Sequence, residues 1–542
     1  MPEVSKKKSY FFILIGVGIL IFFANLDAIY VNIMEARNFI TAREMVTHHN
    51  WLLTTLNDLP RYQKPPLPTW LTAISGSIFG FTSRFAMRLP AALSSMLLLL
   101  VFYRFVPRIK ISQKQAFLSS LILASSFYII FSGRNGQWDI FTHAFMMVTI
   151  YYLWQFFSSN VQVYKNAILA GVFLGFSFMS KGPVSLYALL LPFLIAYGII
   201  YRYRDFGQKW KAFFIFLLIS AVLGTWWFIY VRLADPAAFL KIAEKETTNW
   251  GSYNLRPFYY YWSFFTQSGI WTIPSFVALL YPYLKSRVSN KKAYQFSLLW
   301  TLSAVVLLSI IPEKKSRYLL PVLIPMALNT GFYIEYLFRQ FQQLPRKESW
   351  VVYFNHGLIG LIGLAFPVAG FFILDLEGSY WFWYIATSVA LFGIGAAIFF
   401  YLKKKNYPKV FYLTVAFICA IIIFAFPLTD SFLDNPRFNN ISNLRKLEAA
   451  EGLSVYEYHP LTPELIWEYG KPIPSLEEDG LRLPQQDRFG LLMQKADTTA
   501  LKELRKMYNI TQEARYDLNY VNPEKRGYKD RLITWFYVLQ KK

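Results

Sequence analysis

Apolar residues along this chain gather into runs near 10–26, 89–103, 116–131, 140–157, 167–179, 184–200, 213–231, 270–284, 296–311, 319–337, 351–374, 381–402 and 411–426. Many approach the roughly 18 consecutive apolar residues that cross a bilayer as helix. The pattern predicts a polytopic α-helical membrane protein with about thirteen transmembrane helices. Two stretches break it. Residues 27–88 form a long polar loop, in which 67–81 is apolar but short, as expected of an interfacial or re-entrant helix. From 428 onward the chain reads as an ordinary soluble unit. It has a helix signal over 440–451 ending at Gly452, a strand over 453–458, a helical turn or short helix over 463–469, and a closing strand over 532–539. The expected organisation is a membrane domain, 1–427, with its first outer loop at 27–88, followed by a small C-terminal α/β domain, 428–542.

Charge orients this pattern. The net charge is +23, yet the tail from Leu428 holds equal numbers of acidic and basic residues, so the excess lies in the first 427. There it concentrates in alternate short loops, around Arg104 and Lys110, Arg202 and Lys211, Lys285 and Lys292, Arg339 and Lys347, and Lys403 and Lys409. The positive-inside rule places these loops in the cytoplasm. Counting 67–81 as a span would turn every one of them outward. The first loop, 134–139, 235–269, 312–317 and the tail then share the opposite, periplasmic face. Cations in loops between spans exclude nucleic-acid binding as their purpose. Cys419, the single cysteine, lies in an apolar run, which excludes a disulfide framework and a cysteine metal site. Lys6-Lys7-Lys8 before the first run, with no small-residue cleavage site after it, predicts an uncleaved first helix with a cytoplasmic N-terminus.

Candidate chemistry collects on the outer face. The first loop carries Asp27, Glu35, Glu44 and Asp58, and Asp139 heads a later span. Ile33, Ala36, Phe39 and Ile40 form an apolar arc at helical spacing, suited to a helix on the membrane surface. Glu35 and Arg43 interrupt that arc, and a carboxylate there is expected either to pair or to have its pKa raised; the plainer alternative is a surface helix with solvated charges. Lys64 beside Pro65-Pro66, with Arg61 nearby, makes a fixed cation suited to a phosphate, although Lys-Pro-Pro is commonly only a turn. Lys181, in Ser180-Lys181-Gly182-Pro183, is the most membrane-embedded cation. Lys314, Lys315 and Arg317 form another outward basic cluster. The aromatic run 253–262 contains Arg256 and Tyr259, and reads equally well as part of a site or as an interfacial belt. His48 and His49 could bind a metal with nearby carboxylates, but adjacent histidines point apart on a helix, so surface residues are the favoured reading and no metal site is assigned.

Read in order, EARNFITAREM (35–45), LNDLPRYQKPPL (56–67), RFAMRLPAAL (84–93), Arg134 to Asp139, SKGPV (180–184) and KKSRYLLPVLIP (314–325) resemble the GT-C membrane glycosyltransferases. The branch is that of the lipid A aminoarabinose transferases and protein O-mannosyltransferases. The resemblance implies thirteen spans and an external C-terminal α/β domain in the bacterial inner membrane. It also implies inverting transfer of a sugar from a polyprenyl phosphate to an envelope acceptor (lipid A, another glycan or a protein) on the outer face. Its site would use Glu35, Asp139 or Asp27 as carboxylates and Lys64, Arg61, Arg134, Lys181, Lys314 and Arg317 on the donor phosphate. Arg37, Arg43, Tyr62, Arg256 and Tyr259 would contact the acceptor or lipid. No nucleotide is implied, and a divalent metal is optional. Two departures stand out. Met34-Glu35 replaces the usual Asp-Glu, so either Glu35 takes over as base or Asp27 folds back. Gln63 replaces the commoner Glu before Lys-Pro-Pro, which weakens an inherited metal site. The competing readings are a flippase or other transporter of lipid-linked sugars, and a non-catalytic lipid-binding relative.

Overall fold

The computed structural model describes residues 2–476, 483–494 and 498–542. Helix occupies every one of the predicted apolar runs. Among the described residues, 8 helices are long and apolar enough to cross a membrane, or up to 9 if a bent pair counts as one span. The chain is a multi-pass membrane protein. Four predicted runs fall outside that number. The first and sixth are shorter apolar helices, Lys8–Phe22 and Leu186–Ile200. The eighth divides into Thr272–Leu279 and Tyr281–Leu284. The tenth, Leu320–Gln340, is long but lined by Asn329, Thr330 and two prolines, and is almost wholly enclosed by protein.

The elements that position the site come early. They are α1 (Pro2–Phe22), α2 (Ile33–Thr47), the hairpin β1 (Thr55–Leu56) and β2 (Leu59–Pro60), and α3 (Leu67–Phe79). Then follow α4 (Arg84–Phe105), α5 (Gln113–Ala124), α6 (Phe127–Gly133), α7 (Asp139–Ser158) and α8 (Val163–Lys181). Helices α5 and α6 meet at 66°. Ser125 and Ser126 sit at the corner and donate to the carbonyls of Leu121 (2.5 Å) and Ile122 (2.7 Å), the second in place of the Ser126 amide, which turns to Leu123. Helix α8 lies close against the long helix Phe206–Ala234 because Gly171 and Gly175 face it. A Cβ on Gly171 would meet the Phe216 carbonyl oxygen at 2.9 Å.

Helix α2 differs from expectation. It starts with a capping box, Asn32 accepting from the Met34 and Glu35 amides while Glu35 reaches back to the Asn32 amide. Rather than lying on the membrane surface, it is enclosed by protein, because both of its faces find apolar partners. Phe39 packs against Trp467 (ring centroids 5.1 Å apart), and Ala36, Phe39 and Ile40 share one core with Leu465 and Phe536 of the tail. Asn38, fully buried, donates to Thr72 Oγ1 (3.0 Å) and the Gly136 carbonyl (2.8 Å) and accepts from Thr69 Oγ1 (2.7 Å), joining α2 to α3 and to the loop before α7. A surface helix would leave these groups to water.

The tail holds a four-stranded sheet of β3 (Val455–Glu457), β4 (Arg488–Met493), β5 (Tyr508–Asp517) and β6 (Ile533–Lys541), in the order β3-β4-β6-β5. The β3–β4 pair is parallel and the others antiparallel, with an irregularity in β5 between Gln512 and Ala514. Helices Leu444–Glu451 and Pro463–Tyr469 flank it, the first ending at Gly452 in the left-handed region (φ 63) as its sequence predicts. The tail meets the first loop through Asn57 at the hairpin tip. Asn57 donates to Glu457 Oε1 (3.0 Å) and the Ile473 carbonyl (2.9 Å) and accepts from the Ile473 amide (2.7 Å). Tyr30 stacks on Tyr520 at 4.1 Å. At the other side, Asn25 donates to the carbonyls of Ile422 and Ile423, both at 2.9 Å, joining the end of α1 to the last apolar helix.

Candidate active site

The predicted carboxylates separate into different environments. Glu35 is 1 % exposed, and Arg88 of α4 grips it with two hydrogen bonds, Nε to Oε1 at 2.7 Å and Nη2 to Oε2 at 3.0 Å. The same carboxylate accepts from the amide and side chain of Asn32 (3.2 and 2.8 Å) and from the Gly136 amide (3.0 Å). Five donors leave it no free lone pair directed at a substrate. Its role in this geometry is to hold the 134–139 loop against α2. Gly136 makes that approach possible, since a Cβ there would fall 2.2 Å from the Phe39 ring. Asp27 stays exposed in the turn after α1. The residue beside Met34 is Arg37, whose Nη1 lies 4.0 Å from Met34 Sδ, a weak acceptor where a carboxylate would have formed an ion pair.

Asp139 opens the first turn of α7, 3 % exposed, and is ion-paired to Lys181 from the end of α8. The Lys181 ammonium also sits 5.1 Å from the ring of Tyr318. The short break Ser180-Lys181-Gly182-Pro183 brings the cation here: α8 ends as Gly182 turns with φ 75, leaving Lys181 at the helix end, level with the start of α7.

Around this pair the structure brings together several of the predicted cations. Lys64 has no hydrogen bond or ion pair among the described residues. Burial, and then the like charge of Lys181, lower its pKa to about 8. Burial and the neighbouring Arg37 bring Arg61 down to about 9. Arg61 lies over the ring of buried Trp138 at 4.8 Å and donates to Thr41 Oγ1 (3.2 Å). Arg37 is lowered chiefly by burial, and also by Arg317, whose Nε is buried without a partner. Arg317 also acts electrostatically on Asp139 and Lys181. Lys64, Arg61, Arg37, Lys181 and Arg317 are thus linked electrostatically around Asp139, and Glu246 acts on both Lys64 and Arg61.

Other predicted site residues are engaged elsewhere. Arg134 donates to the carbonyls of Ile21 (2.8 Å) and Asn25 (2.6 Å), capping the end of α1. Lys314, 3 % exposed, donates to the carbonyls of Ile311 (2.5 Å) and Arg256 (3.1 Å). Both cations satisfy backbone oxygens, while Arg134 Nε is buried without a hydrogen-bond partner among the described residues. Arg43 lies 5.9 Å from the Trp467 ring at the junction with the tail, its pKa lowered to about 10 by burial. Tyr62 donates to Asp235 Oδ2 at 2.8 Å. Tyr259 is 64 % exposed, and Arg256 lies 6.0 Å from the neighbouring Tyr260 ring, an arrangement that fits an interfacial belt. Sequence reasoning quoted Arg88 within a motif without assigning it a role. An arginine inside an otherwise apolar helix was the available signal.

A family model described as dolichyl-phosphate-mannose-protein mannosyltransferase matches residues 63–228, the stretch from Gln63 and Lys64 through Asp139 and Lys181. An undecaprenyl phosphate-alpha-4-amino-4-deoxy-L-arabinose arabinosyl transferase of Proteus mirabilis is 25% identical over 307 residues, covering 55% of this chain and 54% of that protein. A transferase of the same name from Photorhabdus laumondii is 24% identical over 412 residues, covering 72% of this chain and 70% of its own. The crystal structure of ArnT from Cupriavidus metallidurans bound to undecaprenyl phosphate superposes with a TM-score of 0.69 at 17% identity, covering 98% of each chain. The chain thus shares the fold of ArnT and is similar in sequence to the aminoarabinose transferases. Of the clustered residues, Lys64, Asp139 and Lys181 lie inside the segment that the family model matches, and Arg37, Arg61 and Arg317 lie outside it. The segment ends short of Arg317 and of the whole tail.

Proposed function

We propose that this protein is an inverting glycosyltransferase that moves a sugar from a polyprenyl-phosphate donor to an envelope acceptor at the outer face of a bacterial inner membrane. The observation that carries this reading is Lys64, a cation beside Pro65 and Pro66 with no hydrogen bond or ion pair among the described residues, close to Arg61 and to the Asp139–Lys181 pair. Such a cation suits an anionic ligand that completes the site. In the reaction the acceptor oxygen bonds to the anomeric carbon as the bond to the lipid phosphate breaks, and the phosphate leaves with the electron pair. Lys64, Arg61 and Arg317 stabilise that developing charge. Asp139, held by Lys181 at the start of α7, orients the acceptor or receives its proton. The relatives named for undecaprenyl phosphate-linked aminoarabinose, and the solved relative that binds undecaprenyl phosphate, support the donor class.

The same reading gives thirteen spans, with the shorter and broken helices crossing alongside the 8 long ones. It divides the chain into a transmembrane domain, 1–427, and a C-terminal domain, 428–542. The alternating basic loops support an outward-facing site and tail. The test is mass spectrometry of polyprenyl-phosphate sugars and envelope glycolipids with and without the protein. A donor that accumulates while one glycan loses a sugar is expected. Unchanged pools with the protein present would favour a lipid-binding relative, and donor displaced across the membrane without transfer would favour a flippase.

Lys64 adds a pH signature. Its free-site pKa of about 8 means the cation is present below that pH and lost above it. Binding of undecaprenyl phosphate to the purified protein is therefore expected to weaken by up to roughly tenfold per pH unit above that value. In Lys64→Met, affinity at neutral pH should fall by about 10- to 100-fold and most of the alkaline slope should vanish. An unchanged slope in the variant would assign the pH dependence to another group.

A further inference from the structure

A second cluster of ligating side chains lies outside the cation site, at the far end of α2. Glu44 and His48 are four residues apart, and the His48 amide donates to the Glu44 carbonyl at 2.8 Å. One helical turn therefore stacks them on one face, a spacing that lets two side chains share a metal ion. The third member comes from the hairpin. Leu56 pairs with Leu59, so Asn57 and Asp58 form a two-residue turn with φ values of 56° and 62°. That conformation suits an Asn-Asp pair and folds Asp58 over the helix end. Asp58 Oδ1 lies 2.8 Å from His48 Nε2. One ligating atom from each of Glu44, His48 and Asp58 lies within 4.8 Å of the other two.

Glu44 makes this more than a surface ion pair. It is 1 % exposed and forms no ion pair with the described residues. Thr55 Oγ1 (2.6 Å) and the amides of Asn57 (2.8 Å) and Asp58 (3.3 Å) donate to it. Burial raises its pKa, and the nearby Asp58 raises it further. A cavity of about 290 Å³ opens directly on the group, lined by Glu44, His48, Asn50, Leu53, Thr55 and Asp58. His49 takes no part.

We propose that Glu44, His48 and Asp58 bind a divalent transition cation of the zinc class, which staples the end of α2 to the β1–β2 hairpin. One imidazole and two carboxylates form a ligand set suited to that ion, with water completing a tetrahedron. Bonds of about 2 Å place tetrahedral ligands roughly 3.4 Å apart. The cluster must therefore close slightly, and the exposed His48 and Asp58 side chains (43% and 53%) are free to do so. The same hairpin carries Asn57, which docks on Glu457 and Ile473, so the ion would also stiffen the contact between first loop and tail.

The test uses the full chain in detergent, with Zn²⁺ as probe, and does not depend on transfer activity. After equilibrium dialysis, elemental analysis should find one more zinc per chain in the wild type than in His48→Gln or Asp58→Asn. Those variants should bind roughly tenfold more weakly or worse, while His49→Gln should match the wild type. Zinc should raise the melting temperature of the wild type and of His49→Gln only. Both ligand variants change exposed side chains, and circular dichroism confirms that they fold. Equal zinc content in wild type and ligand variants, zero included, would overturn the proposal, as would a thermal shift common to all of them.

Discussion

Asp139→Asn is expected to lower sugar transfer by at least about 100-fold and to destabilise the protein by roughly 3–5 kcal/mol. Both effects follow from one contact. Asp139 and Lys181 are buried and ion-paired, with side chains 4% and 9% exposed, so the amide leaves an ammonium without a counter-charge. The two effects separate in a double variant. Asp139→Asn with Lys181→Met removes both charges, and should recover most of the lost stability because a buried pair exchanged for uncharged side chains of similar size is often neutral. Transfer should stay lost, since no carboxylate then faces the acceptor. Thermal melting and a transfer assay on the three proteins decide it. Activity that returns with stability would reduce the pair to scaffolding and leave Lys64 and Arg61 as the working groups.

Glu35→Gln should act almost wholly through the fold. Arg88 is 2 % exposed and loses its only carboxylate, while also losing the groups that align its bonds to the Leu26 and Ile29 carbonyls. The expected cost is again about 3–5 kcal/mol, since glutamine can keep the capping box but not the charge. Protein that remains folded at low temperature should keep its kcat within a few-fold. A catalytic base at Glu35 would give the opposite pattern, a normal melting curve with kcat reduced by roughly 100-fold or more. The two outcomes differ in kind, so modest data suffice.

Much of the fold was legible because apolar runs and loop charges carry topology directly. Helices lie where the runs predicted, and the bend between α5 and α6 falls inside one predicted run because serines can satisfy a broken helix from within. The tail was only half legible. The helix ends at Gly452 and the strand over 533–541 announced themselves. Strand β5, at the sheet edge, alternates too weakly in YNITQEARYD to be seen, and its irregularity at Gln512 shifts the period. In the site, Lys64 stood out because Pro65-Pro66 marked it. At Arg134 and Lys314 the sequence shows a cation but not the backbone carbonyls that it satisfies. Glu35 is similar. Its position on the apolar arc correctly implied a partner, yet Arg88 is 53 residues away and nothing local names it.

The closure between the two ends of the chain sets a timetable for biosynthesis. Asn25 at the end of α1 hydrogen-bonds to Ile422 and Ile423, Tyr30 stacks on Tyr520, and the apolar side of α2 is completed by Leu465 and Trp467. Every one of these partners is translated some four hundred residues after the loop that needs them. The first outer loop therefore waits, its buried face uncovered, while the remaining helices are threaded into the bilayer. The first loop is thus among the first parts made and the last completed, and a ribosome that stalls before the tail leaves behind a membrane-inserted chain whose α2 lacks its apolar partners.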